Sequence, residues 1–302
     1  MGGGGWSSSS FTSYATSCGH SVRADNTVDF KGKSANQVFC HKSLDKSMDP
    51  YNVIRECCES NEHPNAFPII IGIDVTGSMG PAAMKVASKL NSILVNVNQE
   101  VKDAEFLIMG IGDLNYDDAP IQAGQFESDI RIAKQLNNIY FEDGGGENTY
   151  ESYTAAWYFG LNRTRCDAIE KGKKGIIITI GDEELNPELD GILDYIGKVD
   201  EKEDFTNAEP NALYDAASKK FNIFHVHIDH DRSSRDRKEN NIKSFAKVIG
   251  EQNVFSTELD GLNTVISDII IKNASSTNVI DFTSIAKSDA NAKAEKLEEV
   301  VW

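Results

Sequence analysis

The sequence predicts an α/β protein: a doubly wound, mostly parallel sheet of six strands, preceded by an irregular N-terminal extension. Two observations carry this. Apolar runs of strand length recur between residues 68 and 256, and the longest are continuous rather than alternating, as in strands covered on both faces. Between them lie stretches whose apolar residues repeat at helical spacing. Strands and helices in alternation place helices on both sides of a parallel sheet.

Residues 1–16 are rich in Gly and Ser, with Trp6, Phe11 and Tyr14 interspersed. Such composition reads either as a disordered head or, through its aromatics, as an arm that docks on its own domain or a neighbour. Residues 17–65 are polar and irregular. Short strands are expected at 28–30 and 38–39, a turn at Ser47-Met48-Asp49-Pro50, and a short helix over 51–58. The domain proper is expected over 66–272. Its first strand is Pro68-Ile69-Ile70-Ile71-Gly72-Ile73-Asp74. After Pro81, residues Ala83, Val86, Ala87, Leu90, Ile93, Leu94 and Val97 fall on one helical face, and Pro suits a first helical turn. A second buried strand is expected from Ala104 to Asp113, ending in that acid. A short antiparallel edge strand follows at 121–126. Helices are expected around Ile132–Tyr140 and Tyr153–Leu161, a strand from Lys174 ending at Asp182, and a helical region over 187–220. A strand at 221–229, a helix around Ile242–Ile249, a short strand at 253–256 and a closing helix at 262–270 complete it. Residues 273–302 are a polar coda ending in Val300-Val301-Trp302, read as a frayed tail or a partner-binding hook.

The chain of 302 residues has room for one domain of about 200 residues plus extensions. Its net charge of −17 argues against nucleic acid and against an anionic membrane surface. No apolar run approaches the roughly 20 residues of a membrane span, and the N-terminus lacks the basic and apolar regions of a signal peptide. Met1-Gly2 does not extend into a myristoylation pattern, because Trp6 stands where Ser or Thr belongs. The five cysteines match no metal or disulfide framework by spacing, so reduced thiols in a cytosolic compartment are expected.

The loop after the first strand reads Asp74-Val75-Thr76-Gly77-Ser78. It offers one carboxylate and two hydroxyls at alternate positions, which an extended backbone points the same way. That is hard-cation chemistry. Mg²⁺ takes oxygen ligands and keeps several waters, so an open site with few protein charges suits it. The same residues also fit an ordinary strand-to-helix turn with a capping hydroxyl. Asp74, Asp113 and Asp182 all end strands, and doubly wound sheets bind ligands beyond the carboxyl ends of their strands.

This pattern resembles the metal-ion-dependent adhesion site (MIDAS) of the von Willebrand factor A (vWA) family, which has a Rossmann-like fold. The family motif is Asp-x-Ser/Thr-x-Ser after the first strand, a Thr from a second loop and an Asp after the fourth strand. Asp74, Thr76 and Ser78 match the first part. Asp182, in Ile178-Thr179-Ile180-Gly181-Asp182-Glu183, matches the last. The middle part falls on Gly144-Gly145-Gly146-Glu147-Asn148-Thr149, where Thr149 matches and Glu147 and Glu151 compete as oxygen donors. The wording resembles a bacterial or bacteriophage branch. The resemblance implies Mg²⁺ or Mn²⁺ at Asp74, Thr76, Ser78, Thr149 and Asp182, with an acidic residue of a protein partner completing the metal shell and no bond made or broken. It further implies a cytoplasmic assembly factor, in a bacterial or phage-infected cell, working beside a ring ATPase of the AAA type.

Two other classes stay open. One is a structural protein of a phage particle or bacterial assembly with a vestigial metal site. The other is a metal-dependent hydrolase. His225-Val226-His227-Ile228-Asp229-His230 spells a zinc-type ligand pattern, but no histidine follows it, and a buried strand with the histidines on one face explains it as well. The Gly144–Gly146 run lacks the Lys-Ser/Thr of a phosphate-binding loop, and Ser78 lacks the Gly-x of a nucleophile elbow.

Overall fold

The computed structural model describes residues 4–39, 41–142, 149–200, 209–229 and 235–275. The N-terminal segment holds α1 (Ser8–Ser17), β1 (Ser21–Val22), β2 (Val28–Asp29), α2 (Ala35–Val38) and β3 (Arg55–Cys57). Then come β4 (Phe67–Asp74), a 3-10 turn at Gly77–Met79, α3 (Gly80–Glu100), β5 (Ala104–Ile111), β6 (Ile121–Ala123) and α4 (Arg131–Asn137). They are followed by β7 (Tyr150–Glu151), α5 (Thr154–Asn162), β8 (Thr164–Cys166), α6 (Asp167–Glu170), β9 (Gly175–Gly181), β10 (Glu184–Leu185), α7 (Ile192–Ile196) and α8 (Pro210–Ala217). The last elements are β11 (Phe221–Ile228), α9 (Arg235–Ile249), β12 (Val254–Thr257) and α10 (Leu262–Ser275).

Six strands form the main sheet in the order β12-β11-β9-β4-β5-β6. All neighbours are parallel except β6, which runs antiparallel on the edge beside β5. This is the doubly wound α/β fold that the apolar runs predict. From β4 the chain winds outward through β5 and β6, then crosses to β9 on the other flank of β4. Strand order therefore reverses between β4 and β9, which opens a crevice at their carboxyl ends.

Alternation along β4 divides the core. Ile69, Ile71 and Ile73 pack with α3, α4 and α10, while Ile70 packs with α5, α8 and α9 on the other face. Burial on both faces explains why the central strands read as continuous apolar runs. In β11, Phe224, Val226 and Ile228 join the first cluster, and the buried His225 and His227 point to the opposite face.

The N-terminal segment departs from the sequence reading in three places. Residues 8–17 form a helix: Ser7 caps it by accepting from Ser10 N–H, and Phe11 and Ala15 enter the same core cluster as Ile69 and Ile71. Trp6 Nε1 donates to Asn91 Oδ1 of α3 at 2.9 Å. The docking arm, not the disordered head, is what forms. Val38 ends a helix rather than a strand, because Ser34 N–H is satisfied by Gln37 Oε1 and starts a turn. The helix expected over 51–58 is a turn followed by β3. Asn52 sits at φ 55°, and Asn52 N–H is taken by Ile196 O and Arg55 N–H by Arg163 O, so the helical hydrogen bonds never start. The helical region at 187–220 contains only the short α7 and α8 among the described residues. Residues 143–148, His230 and 276–302 lie outside the described residues, as do the readings placed on them. Among the described residues, no helix is long and apolar enough to cross a membrane.

Candidate metal site

Asp74 is the last residue of β4 and is fully buried. Its Oδ1 accepts from Thr76 N–H at 2.9 Å and from Thr76 Oγ1 at 2.6 Å. These bonds fold the chain sharply into the 3-10 turn, which presents Ser78 at the exposed lip. Ser78 Oγ donates to Asp182 Oδ1 at 3.1 Å across 104 residues of sequence. The crevice at the switch point thus brings Asp74, Thr76, Ser78 and Asp182 to one place. Asp182 directly follows β9 and its carbonyl oxygen accepts from Asn241 Nδ2 of α9. The same face of α9 supplies Ser244, whose Oγ accepts from Leu185 N–H at 3.0 Å, and Arg237, which pairs with Glu183. α9 therefore braces the turn that carries Asp182 from one side, at Asp182, Glu183 and Leu185.

Two residues near the centre were not in the expected ligand set. Tyr153, completely buried at the start of α5, donates its hydroxyl to Asp74 Oδ2 at 2.7 Å. Its ring lies 5.3 Å from the rings of both His225 and Phe245. Glu151, 5% exposed, has an Oε2 with no hydrogen-bond partner. Its register with Leu185 places it beside the Asp182 turn. Thr149 lies two residues earlier, exposed, with its carbonyl oxygen accepting from Glu184 N–H at 3.2 Å. Asp113 and Asp117, both buried, sit in the neighbouring loop, where Asp117 Oδ2 accepts from Asp113 N–H at 2.7 Å.

The electrostatics follow from burying carboxylates together. Burial, then repulsion from Asp182, raises Asp74 to about 7, against the hydrogen bonds from Thr76 and Tyr153. Burial and the charges of Asp74, Asp117, Asp113 and Glu183 push Glu151 up to about 11. A divalent cation fits this donor set: the Asp74 and Asp182 carboxyls converge, hydroxyls line the open side, and Glu151 has an oxygen with no hydrogen-bond partner. Among the described residues, no three His, Cys, Asp or Glu side chains form a metal-holding group by themselves.

The His225–His227 pair is placed as packing. His225 stacks flat on Phe245 with centroids 3.5 Å apart, and its Nδ1 lies 2.9 Å from Thr179 Oγ1. Burial, then His227, holds its pKa well below the usual imidazole range, so the ring is neutral.

Gly181 is required by the Tyr153 contact. A Cβ there would lie 1.9 Å from the Tyr153 hydroxyl oxygen and 2.4 Å from its ring. Gly181→Ala is therefore expected to cost about 1–3 kcal/mol through forced displacement of a buried side chain, read as a lower urea midpoint. An unchanged midpoint would show that Tyr153 is not held where it is described.

A scan against protein-family models gives no match, and neither does a search of curated proteins. Similar solved structures include the open conformation of the pilus adhesin SpaC from Lactobacillus rhamnosus GG, with TM-score 0.47 and 13% identity over 71% of this chain and 31% of that one. Proximal thread matrix protein 1 (PTMP1) from the mussel byssus, with a zinc-occupied MIDAS motif, has TM-score 0.45 and 12% identity over 74% and 46%. The vWF domain of the type V pili tip protein Mfa5 from Porphyromonas gingivalis has TM-score 0.42 and 9% identity over 72% and 98%. This chain spans about a third of the SpaC chain and just under half of the PTMP1 chain.

Proposed function

We propose that this chain is a vWA-type binding module that holds a divalent cation, Mg²⁺ or Mn²⁺, and through it captures an acidic side chain of a protein partner. The observation that supports this most is the meeting of Ser78 with Asp182 beside the buried Asp74 at the switch point of the sheet. Asp74, Thr76, Ser78 and Asp182 would hold the ion. Glu151 is better placed than Thr149 to complete the set, because its orphaned oxygen is buried beside Asp74 while Thr149 faces solvent. When bound, the cation supplies a Lewis-acidic position toward an incoming carboxylate. The protein's own work is to fix Asp74 through Thr76 and Tyr153, and the Asp182 turn through α9. The reading is binding without turnover, with the hydrogen-bonded Ser78 hydroxyl and Asp182 carboxylate assigned to the ion rather than to attack on a substrate.

Thermal unfolding of the full chain tests it. Saturating Mg²⁺ or Mn²⁺ is expected to raise the melting temperature by about 5 °C over chelator, and Asp74→Ala is expected to abolish the rise. Glu151→Gln should weaken the response, while Thr149→Ala should leave it intact. The reverse order for those two variants would return the fifth position to Thr149. No shift with any divalent cation would remove the metal from the reading. Partner capture, assayed on immobilised protein, should be lost in chelator and in Asp74→Ala alike.

A further inference from the structure

The sequence places Cys57 and Cys166 more than a hundred residues apart, with no spacing that pairs them. The fold makes them direct neighbours. β3 and β8 form a separate two-stranded parallel sheet in which Cys57 is the register partner of Cys166. Register partners on adjacent strands project to the same side, about 4.7–4.9 Å apart along the hydrogen-bonding direction, inside the Cα separation that a disulfide accepts. Both side chains are buried, at 0% and 3% exposure, and both are free thiols. Cys58, the next residue, is half-buried, and strand alternation turns it away from this pair.

We propose that Cys57 and Cys166 are a redox pair that closes reversibly into a disulfide, locking the segment that ends in β3 onto β8. A small two-electron oxidant such as hydrogen peroxide suffices for buried thiols. Cys166 reacts first with the oxidant: the neighbouring Cys57 thiol holds Cys166 low against burial, while Cys166 and burial together hold Cys57 high. The Cys166 thiolate takes an oxygen from peroxide to give a sulfenic acid, releasing hydroxide that takes up the thiol proton as water. The Cys57 sulfur then displaces the hydroxyl, which leaves with the Cys57 proton as a second water. Two thiols lose two electrons and one peroxide becomes two waters. The bond would enclose β4, α3, β5, β6, α4 and α5 in one covalent loop, including Asp74 and Glu151.

The pair is separable from the metal reading, since neither sulfur belongs to that site. The test treats the full chain with a small excess of hydrogen peroxide, then counts thiols in denaturant and maps cross-linked peptides by mass spectrometry without reduction. Thiols are expected to fall from five to three, one peptide pair should join Cys57 to Cys166, and the melting temperature should rise by about 5–10 °C. Dithiothreitol should reverse all three. Cys57→Ser and Cys166→Ser should each prevent the cross-link, whereas Cys58→Ser should not; the peptide map on the unaltered chain stands even if a variant folds poorly. A cross-link through Cys58 or Cys18, oxidation that stops at sulfinic acid, or five thiols remaining would overturn the proposal.

Discussion

Asp74→Asn is expected to make the protein more stable in chelator at pH 8 while removing its response to Mg²⁺. The two effects have one cause. Asp74 is buried beside Asp182, and the folded chain raises it to about 7, against about 3.9 for an unfolded aspartate. The folded state therefore binds more protons than the unfolded state between those values. The contribution of this group to stability is complete below about pH 4 and is lost as the pH rises through 7. In chelator, the unaltered protein should thus be less stable at pH 8 than at pH 5.5 through this residue. Asn has no such slope. It keeps the Oδ1 that accepts from Thr76, and its amide can donate to the Tyr153 oxygen where the carboxylate accepted. The gain at pH 8 should be on the order of 2 kcal/mol, read as a higher urea midpoint. With cation present the order should invert, because the unaltered protein gains and Asp74→Asn does not. If Asp74→Asn were less stable than the unaltered chain in chelator at pH 8, the buried acid would be a structural cap and not a site held open for a charge.

The sheet was legible because its strands are covered on both faces, so their apolar runs are unbroken and their ends marked. Ile69 to Ile73 and Ile176 to Ile180 each read directly as buried strands. The N-terminal segment was not legible for the opposite reason. α1 is mostly Ser and Thr and is fixed by a few anchors, Trp6, Phe11 and Ala15, against a helix eighty residues away. β3 and β8 are three residues each, and their pairing depends on contacts that leave no periodic trace.

The site divides in the same way. Asp74, Thr76, Ser78 and Asp182 were read as a set from strand ends, alternate spacing and the family resemblance, and the fold brings these four to one place. Tyr153 was read as one face of a helix, and nothing local tells that its hydroxyl reaches Asp74. A weak signal existed in Gly181, whose lack of a side chain makes room for that ring. Asn241, Ser244 and Arg237 look like ordinary polar positions on an amphipathic helix. Their role appears only when α9 is laid against the turn after β9. Glu151 was a competing donor beside Thr149, and burial separates the two.

Phe245→Ala should be the most damaging single change in the core beneath the site, and its consequence should reach the ion. Phe245 has no solvent exposure, stacks on His225 and touches the Tyr153 ring. Removing a buried phenyl ring costs about 3–5 kcal/mol, so the urea midpoint should fall sharply. The loss should not stop at stability. Tyr153 would lose one wall of the slot that aims its hydroxyl at Asp74, and α9 would lose the side chain that seats Asn241 and Ser244 under the Asp182 turn. Cation affinity, measured by titration well below the melting temperature, is expected to fall about tenfold, which corresponds to roughly 1.4 kcal/mol. Phe106→Ala provides the comparison. Phe106 is equally buried but belongs to the cluster on the opposite face of the sheet, with α3 and α4. It should lose similar stability and keep its cation affinity. Equal affinities in the two variants would mean that α9 and Tyr153 shape the fold alone, and that the metal loop positions itself.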